Sequence, residues 1–144
     1  MAITNILVPF DDSTYSLKAF NAALDIAKKQ NAKIKVLTCL EKDNLGAWYK
    51  DSRVNKQIIR DAKKFAMIFL SKLENTAKDS GVLISVHILE TKSISNQIID
   101  FAKSKKINLI VIGSHGQTGF NRFLLGSVSN AVSQSAKCPV LIIK

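Results

Sequence analysis

Residues 108–130 read NLIVIGSHGQTGFNRFLLGSVSN, and this stretch decides the fold. Leu109-Ile110-Val111-Ile112 is a continuous apolar run, mostly β-branched and stopped by Gly113, which predicts a strand buried on both faces. Glycines at 113, 116 and 119 mark the loop that follows, and Gly126-Ser127 opens a predicted helix through Ser135. A buried strand, a glycine-rich loop and a new helix N-terminus gather backbone N–H groups and a positive dipole end, a combination suited to phosphate. On this reading Gly113, Gly116 and Gly126 take positive φ and bring the backbone close to phosphate oxygens. The Ser127 hydroxyl and its neighbouring N–H groups then serve as donors.

Outward from this stretch the chain alternates. Ile3 to Val8 is an apolar run ended by Pro9. Ser13 can cap a helix whose expected inner face is Leu17, Phe20, Leu24 and Ala27, ended by Asn31. Ile34 to Leu40 reads as a second strand. Residues 41–52, with Gly46, Trp48 and Tyr49, break the pattern and are expected to form a surface loop or short helical turn able to cover the crevice. A long helix follows, with Val54, Ile58, Ala62, Phe65, Phe69, Leu73 and Ala77 at helical spacing and Ser80-Gly81 at its end. Leu83 to Leu89 is a third strand. Ser93 to Ser95 caps a helix turning Ile98, Ile99 and Ala102 inward, and Pro139 to Ile143 is the last strand. Strands alternating with helices predict a single α/β domain over residues 1–144, a parallel sheet with helices on both faces.

Two familiar phosphate-loop patterns are missing. No Gly-Lys-Ser or Gly-Lys-Thr occurs, so there is no P-loop, and G-x-G-x-x-G is absent as well. What stands here is Gly113-x-x-Gly116, nine residues, then Gly126-Ser127. That pattern resembles the nucleotide-binding motif of the universal stress protein family in its ATP-binding branch. Ser114-His115-Gly116, Leu124-Leu125 and Cys138-Pro139-Val140 add to the likeness, which runs from Ile6-Leu7-Val8-Pro9 to the C-terminal strand.

The resemblance implies an open Rossmann-like sheet of five strands in the order 3-2-1-4-5. In that order the winding reverses between strands one and four, and the ligand crevice of an open α/β sheet lies at such a switch point. It also implies ATP as ligand, with Mg²⁺ arriving with the phosphates and helped by Asp11 or Ser127. Asp11 is similar to the acidic ribose or nucleotide anchor after the first strand. Cys39 matches a position flanking the adenine, and Ile112 is a second apolar wall. Pro9 and Val128 complete the expected contacts with Gly113, Gly116, Gly126 and Ser127. Arg122 and Lys137 are candidates for extra charge near the phosphates.

The family resemblance further implies a nucleotide-dependent switch in stress survival, acting on a protein partner, and a homodimer paired through the last strand. An exposed apolar edge at Val140 to Ile143 would make dimerisation physically sensible. Two other readings stand beside the switch. A slow ATPase would need a positioned water and a charge-stabilising group at the γ-phosphate. No base is fixed by spacing, and His115 reads as loop filler, so turnover is expected to be weak or absent. A nucleotide-free, chaperone-like dimer binding protein or nucleic acid would use the net charge of +10, from 21 Lys+Arg against 11 Asp+Glu. Those charges are scattered over different predicted helices, only three are arginine, and solvated helix faces are the simpler reading.

Cys39 and Cys138 have no metal spacing and are predicted to lie at opposite edges of the sheet as unpaired thiols; His87 and His115 give no metal signature. No stretch approaches the roughly 20 apolar residues of a membrane span, and the Met-Ala-Ile-Thr-Asn start lacks a basic leader. A soluble, cytoplasmic protein is the expectation.

Overall fold

Residues 2–42, 52–117 and 124–144 are described in the computed structural model. The strands are β1 (Asn5–Pro9), β2 (Lys33–Glu41), β3 (Ile84–Thr91), β4 (Leu109–Gly113) and β5 (Val140–Ile143). The helices are α1 (Thr14–Gln30), α2 (Ser52–Asp79), α3 (Ile94–Ser104) and α4 (Ser127–Ser135). All pairings are parallel, in the order β3-β2-β1-β4-β5. The chain winds outward from β1 to β3, returns to the other side of β1, and winds outward again through β4 and β5. Right-handed crossovers then send α1 and α2 to one face and α3 and α4 to the other.

Strand alternation shows those two faces directly. Ile6, Val8, Ile34, Val36, Leu109 and Val111 pack under α1 and α2. Leu7, Leu37, Ile110 and Ile112 pack under α3 and α4. The apolar run of β4 has no polar residue because both of its sides are core, and every one of its residues is buried. The edge strands differ. Every residue of β3 is half-buried, and Leu141 of β5 is exposed.

Two helix faces depart from expectation. In α1 the buried stripe is Ser16, Ala19, Phe20, Ala23, Leu24 and Ala27, while Leu17 stays 46% exposed. In α2 it is Ala66, Leu70, Leu73 and Ala77, and Phe65 is 61% exposed. Both helices approach the sheet along alanines, so small residues set the contact line and the bulkier Leu17 and Phe65 fall to its flank. Ile99 is only half-buried, and Phe101 takes the inner position instead. The strand limits shift slightly: β1 begins at Asn5 and includes Pro9, and β3 begins after the exposed Leu83.

At the amino end of the sheet three helices stop in one way. The Ala32 N–H donates to the Ala27 carbonyl, Val82 to Ala77 and Ile107 to Ala102, each 2.9–3.0 Å. The residue before each donor, Asn31, Gly81 or Lys106, has φ of 55 to 72°. These are Schellman endings, each closed by a buried alanine and a buried apolar partner. They satisfy the last carbonyls and turn the chain sharply into β2, β3 and β4.

Candidate functional site

Because the strands are parallel, their carboxyl ends share one side. There β1 and β4 are neighbours whose following helices leave to opposite faces. A cavity of about 610 Å³ opens at this reversal, within the roughly 300–1,000 Å³ usual for small-molecule sites. Pro9 and Asp11 line it from β1, Cys39 from β2, Ile112, Gly113 and Gly116 from β4, and Gly126, Ser127 and Val128 from the start of α4. All nine positions named from the sequence therefore share one cavity.

The start of α4 brings backbone N–H groups to the wall. Gly126 is its N-cap, at φ −62° and ψ 160°, and among the described residues no side chain caps the first turn. The neighbouring hydroxyl that could do so points elsewhere: Ser129 Oγ donates to the Ser114 carbonyl at 2.8 Å and to the Gly126 carbonyl at 3.1 Å. The Gly126 N–H also donates to the Ser114 carbonyl, at 2.8 Å, tying the helix start to the end of β4. The opening N–H groups of a helix have no intrahelical acceptor, and they lie at the positive end of its dipole. In α4 they are left to whatever occupies the cavity.

The motif glycines are needed for space, not for positive φ. Among the described glycines only Gly81 has φ in the left-handed region. A Cβ on Gly113 would sit 2.8 Å from the carbonyl carbon and the Cβ of Tyr15, so Gly113 lets the first turn of α1 rest on the end of β4. A Cβ on Gly116 would meet Asp11 Oδ2 at 2.9 Å. Close approach between chain segments is what these glycines allow, and the expected positive φ is not found at 113, 116 or 126.

Asp11 closes the crevice floor. Its Oδ1 accepts the Ser13 N–H at 3.0 Å and its Oδ2 the Gln117 N–H at 3.2 Å, while the Gln117 side-chain amide donates to the Asp11 carbonyl. This latch joins two loops 106 positions apart. An ionised carboxylate has about four acceptor sites, so two remain for ligand hydroxyls. Opposite it, Leu37, Cys39, Ile94, Ile98, Ile112 and Val128 make an apolar wall. Burial pushes the Cys39 thiol up to about 12, so it serves as wall and not as nucleophile. His115 also lines the cavity. Its ring lies 5.2 Å from that of Tyr15, its Nδ1 is 2.9 Å from Ser114 Oγ, and its Nε2 is buried with no hydrogen-bond partner among the described residues. An orphaned buried polar atom costs about 1–3 kcal/mol, which a bound water or ligand group would relieve.

Comparison with known proteins now decides the family. The family model described as "Universal stress protein family" matches residues 2–144. The chain belongs to the universal stress protein family. It is 35% identical to universal stress protein MJ0531 of Methanocaldococcus jannaschii, over 96% of this chain and 81% of that one. It is 33% identical to YxiE of Bacillus subtilis, over 96% and 97%. Among solved structures, UspA of Lactobacillus plantarum superposes with a TM-score of 0.83 at 26% identity, covering 100% and 99% of the two chains. The Archaeoglobus fulgidus universal stress protein in complex with dAMP gives 0.70 at 27% identity, covering 100% of each. A universal stress protein in complex with cAMP gives 0.71 at 26%, covering 99% and 98%.

Other expectations for this universal stress protein are revised. Lys137 follows the C-terminal end of α4, the far end of that helix from Gly126, so it is not beside the phosphate-type donors. Gly46, Trp48, Tyr49, Gly119 and Arg122 lie outside the described residues. Cys39 and Cys138 are free thiols, half-buried against the same α3–α4 layer, one at each end of the sheet. Among the described residues no cluster of three or more His, Cys, Asp or Glu could hold a metal ion, and no helix is long and apolar enough to cross a membrane. Sequence reading missed Gln117, whose partner is distant, and Ser129, whose hydroxyl spacing to Gly126 resembles ordinary helix filler.

Proposed function

We propose that this crevice binds ATP and that the protein is a nucleotide-dependent switch in the cytoplasmic stress response. The observation that carries the reading is the uncapped start of α4 on the wall of a cavity of nucleotide size. The phosphates lie against the N–H groups of Ser127 and Val128, with the Ser127 hydroxyl as a further donor and Gly113 and Gly116 keeping the path free of side chains. The ribose hydroxyls meet Asp11 and the backbone at Pro9. Adenine enters the apolar wall of Cys39, Ile112 and their neighbours. That two family relatives are complexes with dAMP and cAMP supports an adenine nucleotide. Any Mg²⁺ accompanies the triphosphate, with Asp11 and Ser127 as the protein oxygens able to meet it.

Hydrolysis is weak or absent on this reading, because the Asp11 carboxylate is held between the Ser13 and Gln117 N–H groups, where it ties two loops together and is not set to position a water at the γ-phosphate. The protein works as a homodimer through β5, whose outer edge carries the exposed Leu141 and pairs with no other described strand. Bound nucleotide alters the surface offered to a protein partner at the mouth of the crevice.

Calorimetric titration of nucleotide-stripped protein tests this, using ATP with Mg²⁺, AMP, and the variant Gly116→Val. The expected result is saturable binding by the wild type, lost in the variant, whose side chain displaces Asp11 and fills the phosphate path. If the folded wild type binds neither nucleotide, the switch reading fails.

A further inference from the structure

Away from the crevice, the amino half of the sheet brings together polar groups that nothing so far employs. Ile34 and Val36 of β2, and Ile84, Val86 and Ile88 of β3, face α1 and α2. Lys35, Ser85 and His87 therefore point to the opposite face, beside α3, with Lys35 in register with Ser85 and Leu37 with His87. Ser85 Oγ lies 3.0 Å from His87 Nε2. The His87 ring meets the buried Phe101 ring of α3 edge-on, 5.0 Å between centroids, and Lys105 Nζ lies 6.0 Å from the same Phe101 ring. The half-buried Ser85–His87 pair thus has Lys35 in register beside it on β2 and the exposed Lys105 across the Phe101 ring, the two lysines whose charges act on His87.

The charges there are of one sign. From β2 the facing charge is Lys35, with Lys33 one pleat earlier; from the end of α3 it is Lys105, beside Lys103 and Lys106. Leu37 and Leu89 are the apolar neighbours. Among the described residues the salt bridges are Lys42–Glu90 and Lys63–Glu90, and they involve none of these groups. The His87 imidazole is held below its ordinary value, first by burial and then by the Lys35 and Lys105 charges. The charges that act on His87 are both positive, Asp100 of α3 being the carboxylate next in sequence to Phe101, and an anion relieves their repulsion.

We propose that Lys35, Ser85, His87 and Lys105 form a second anion site, for a phosphate-type oxyanion, on the α3 face of β2 and β3. The lysines supply charge. Protonated His87 donates through Nε2 to Ser85 Oγ, which frees the serine hydroxyl to donate to the anion, and Nδ1–H is available as a further donor. Binding takes up a proton at His87, so it tightens as pH falls through the range, below the ordinary histidine value, in which that imidazole becomes charged. The inference stands independently of nucleotide in the crevice.

Ring ¹⁵N NMR titration of the full chain tests it, with His115 read separately as the report on phosphate in the crevice. The probes are inorganic phosphate and glycerol phosphate, each against sodium chloride of equal ionic strength. Phosphate at millimolar concentration is expected to raise the His87 pKa by about one unit beyond chloride. In the double variant Lys35→Gln/Lys105→Gln the pKa of His87 rises without anion, because two like charges have gone, and the phosphate-dependent rise disappears. Ser85→Ala weakens phosphate binding severalfold. A response to both phosphates assigns a phosphomonoester group as the ligand, and a response to inorganic phosphate alone restricts the site to the free ion. Equal shifts in chloride and phosphate, a shift confined to His115, or an undiminished shift in the double variant would each overturn the proposal.

Discussion

Two helices begin beside the crevice, α1 after β1 and α4 after β4, and they begin differently. At α1 the protein satisfies its own chain: Ser13 Oγ accepts the Ser16 N–H at 3.1 Å, Ser16 Oγ returns a bond to the Ser13 carbonyl at 3.0 Å, and both serines are buried. At α4 glycine holds the same position and no side chain caps the turn. Capping is worth about 1 kcal/mol, so an uncapped start forgoes stability that serine supplies elsewhere in the chain. The comparison separates a helix end serving the fold from one left to a ligand.

The strongest way to break this contrast is to force the two ends apart. Gly113→Val puts a side chain 2.8 Å from the backbone of Tyr15, in the first turn of α1, and backbone cannot swing aside. A loss of about 3 kcal/mol is expected, a large part of a typical domain's stability, read as a lower denaturation midpoint at unchanged slope. At the α4 end, Gly126→Ala meets the Ser114 carbonyl oxygen at 3.2 Å, and the nearby loop can yield by a few tenths of an ångström. Its cost is expected to be nearer 1 kcal/mol. Equal losses in the two variants would mean that the glycines do the same job.

The next test removes the cap that α1 does have. Ser13→Ala leaves the Ser16 N–H without its acceptor and should cost about 1 kcal/mol, while ATP affinity stays within about twofold of wild type, within 0.5 kcal/mol. A tenfold loss of affinity at unchanged stability would show that the α1 terminus also belongs to the ligand.

What the sequence disclosed follows the range of the interactions. The β4 run, the Ser13 and Ser93 caps, the Asn31 and Gly81 helix ends and the spacing from Gly113 to Ser127 are local, and local patterns predicted them. Strand order required the family resemblance, since each strand's apolar run is compatible with several neighbours. Hydrophobicity alone misplaced Leu17 and Phe65, because alanine rows decide which side of α1 and α2 approaches the sheet. Lys106 hid a Schellman ending that Gly81 advertises, although both take positive φ. The Asp11–Gln117 latch and the grouping of Lys35 with Lys105 around His87 join positions far apart in the chain, and no spacing rule reaches them. That nine positions line one cavity was legible from the sequence, but the physical reason for their glycines was not.

The smallest expected change in stability makes the sharpest test, because its sign opposes the effect on binding. Ser127 is exposed at the first position of α4. In Ser127→Asp a carboxylate meets the positive end of the helix dipole and its open N–H groups, which stabilises the helix by about 0.5 kcal/mol. The same carboxylate occupies the donors assigned to phosphate and repels it, so ATP affinity should fall at least about fivefold, roughly 1 kcal/mol. The same change near the start of the closed α1, at Thr14, should bring the dipole gain without the loss of affinity. Denaturation and titration on both variants therefore ask whether the α4 terminus is open for an anion or merely uncapped. If Ser127→Asp is more stable and still binds ATP like the wild type, the terminus is spare, and the phosphates must be held by another part of the crevice.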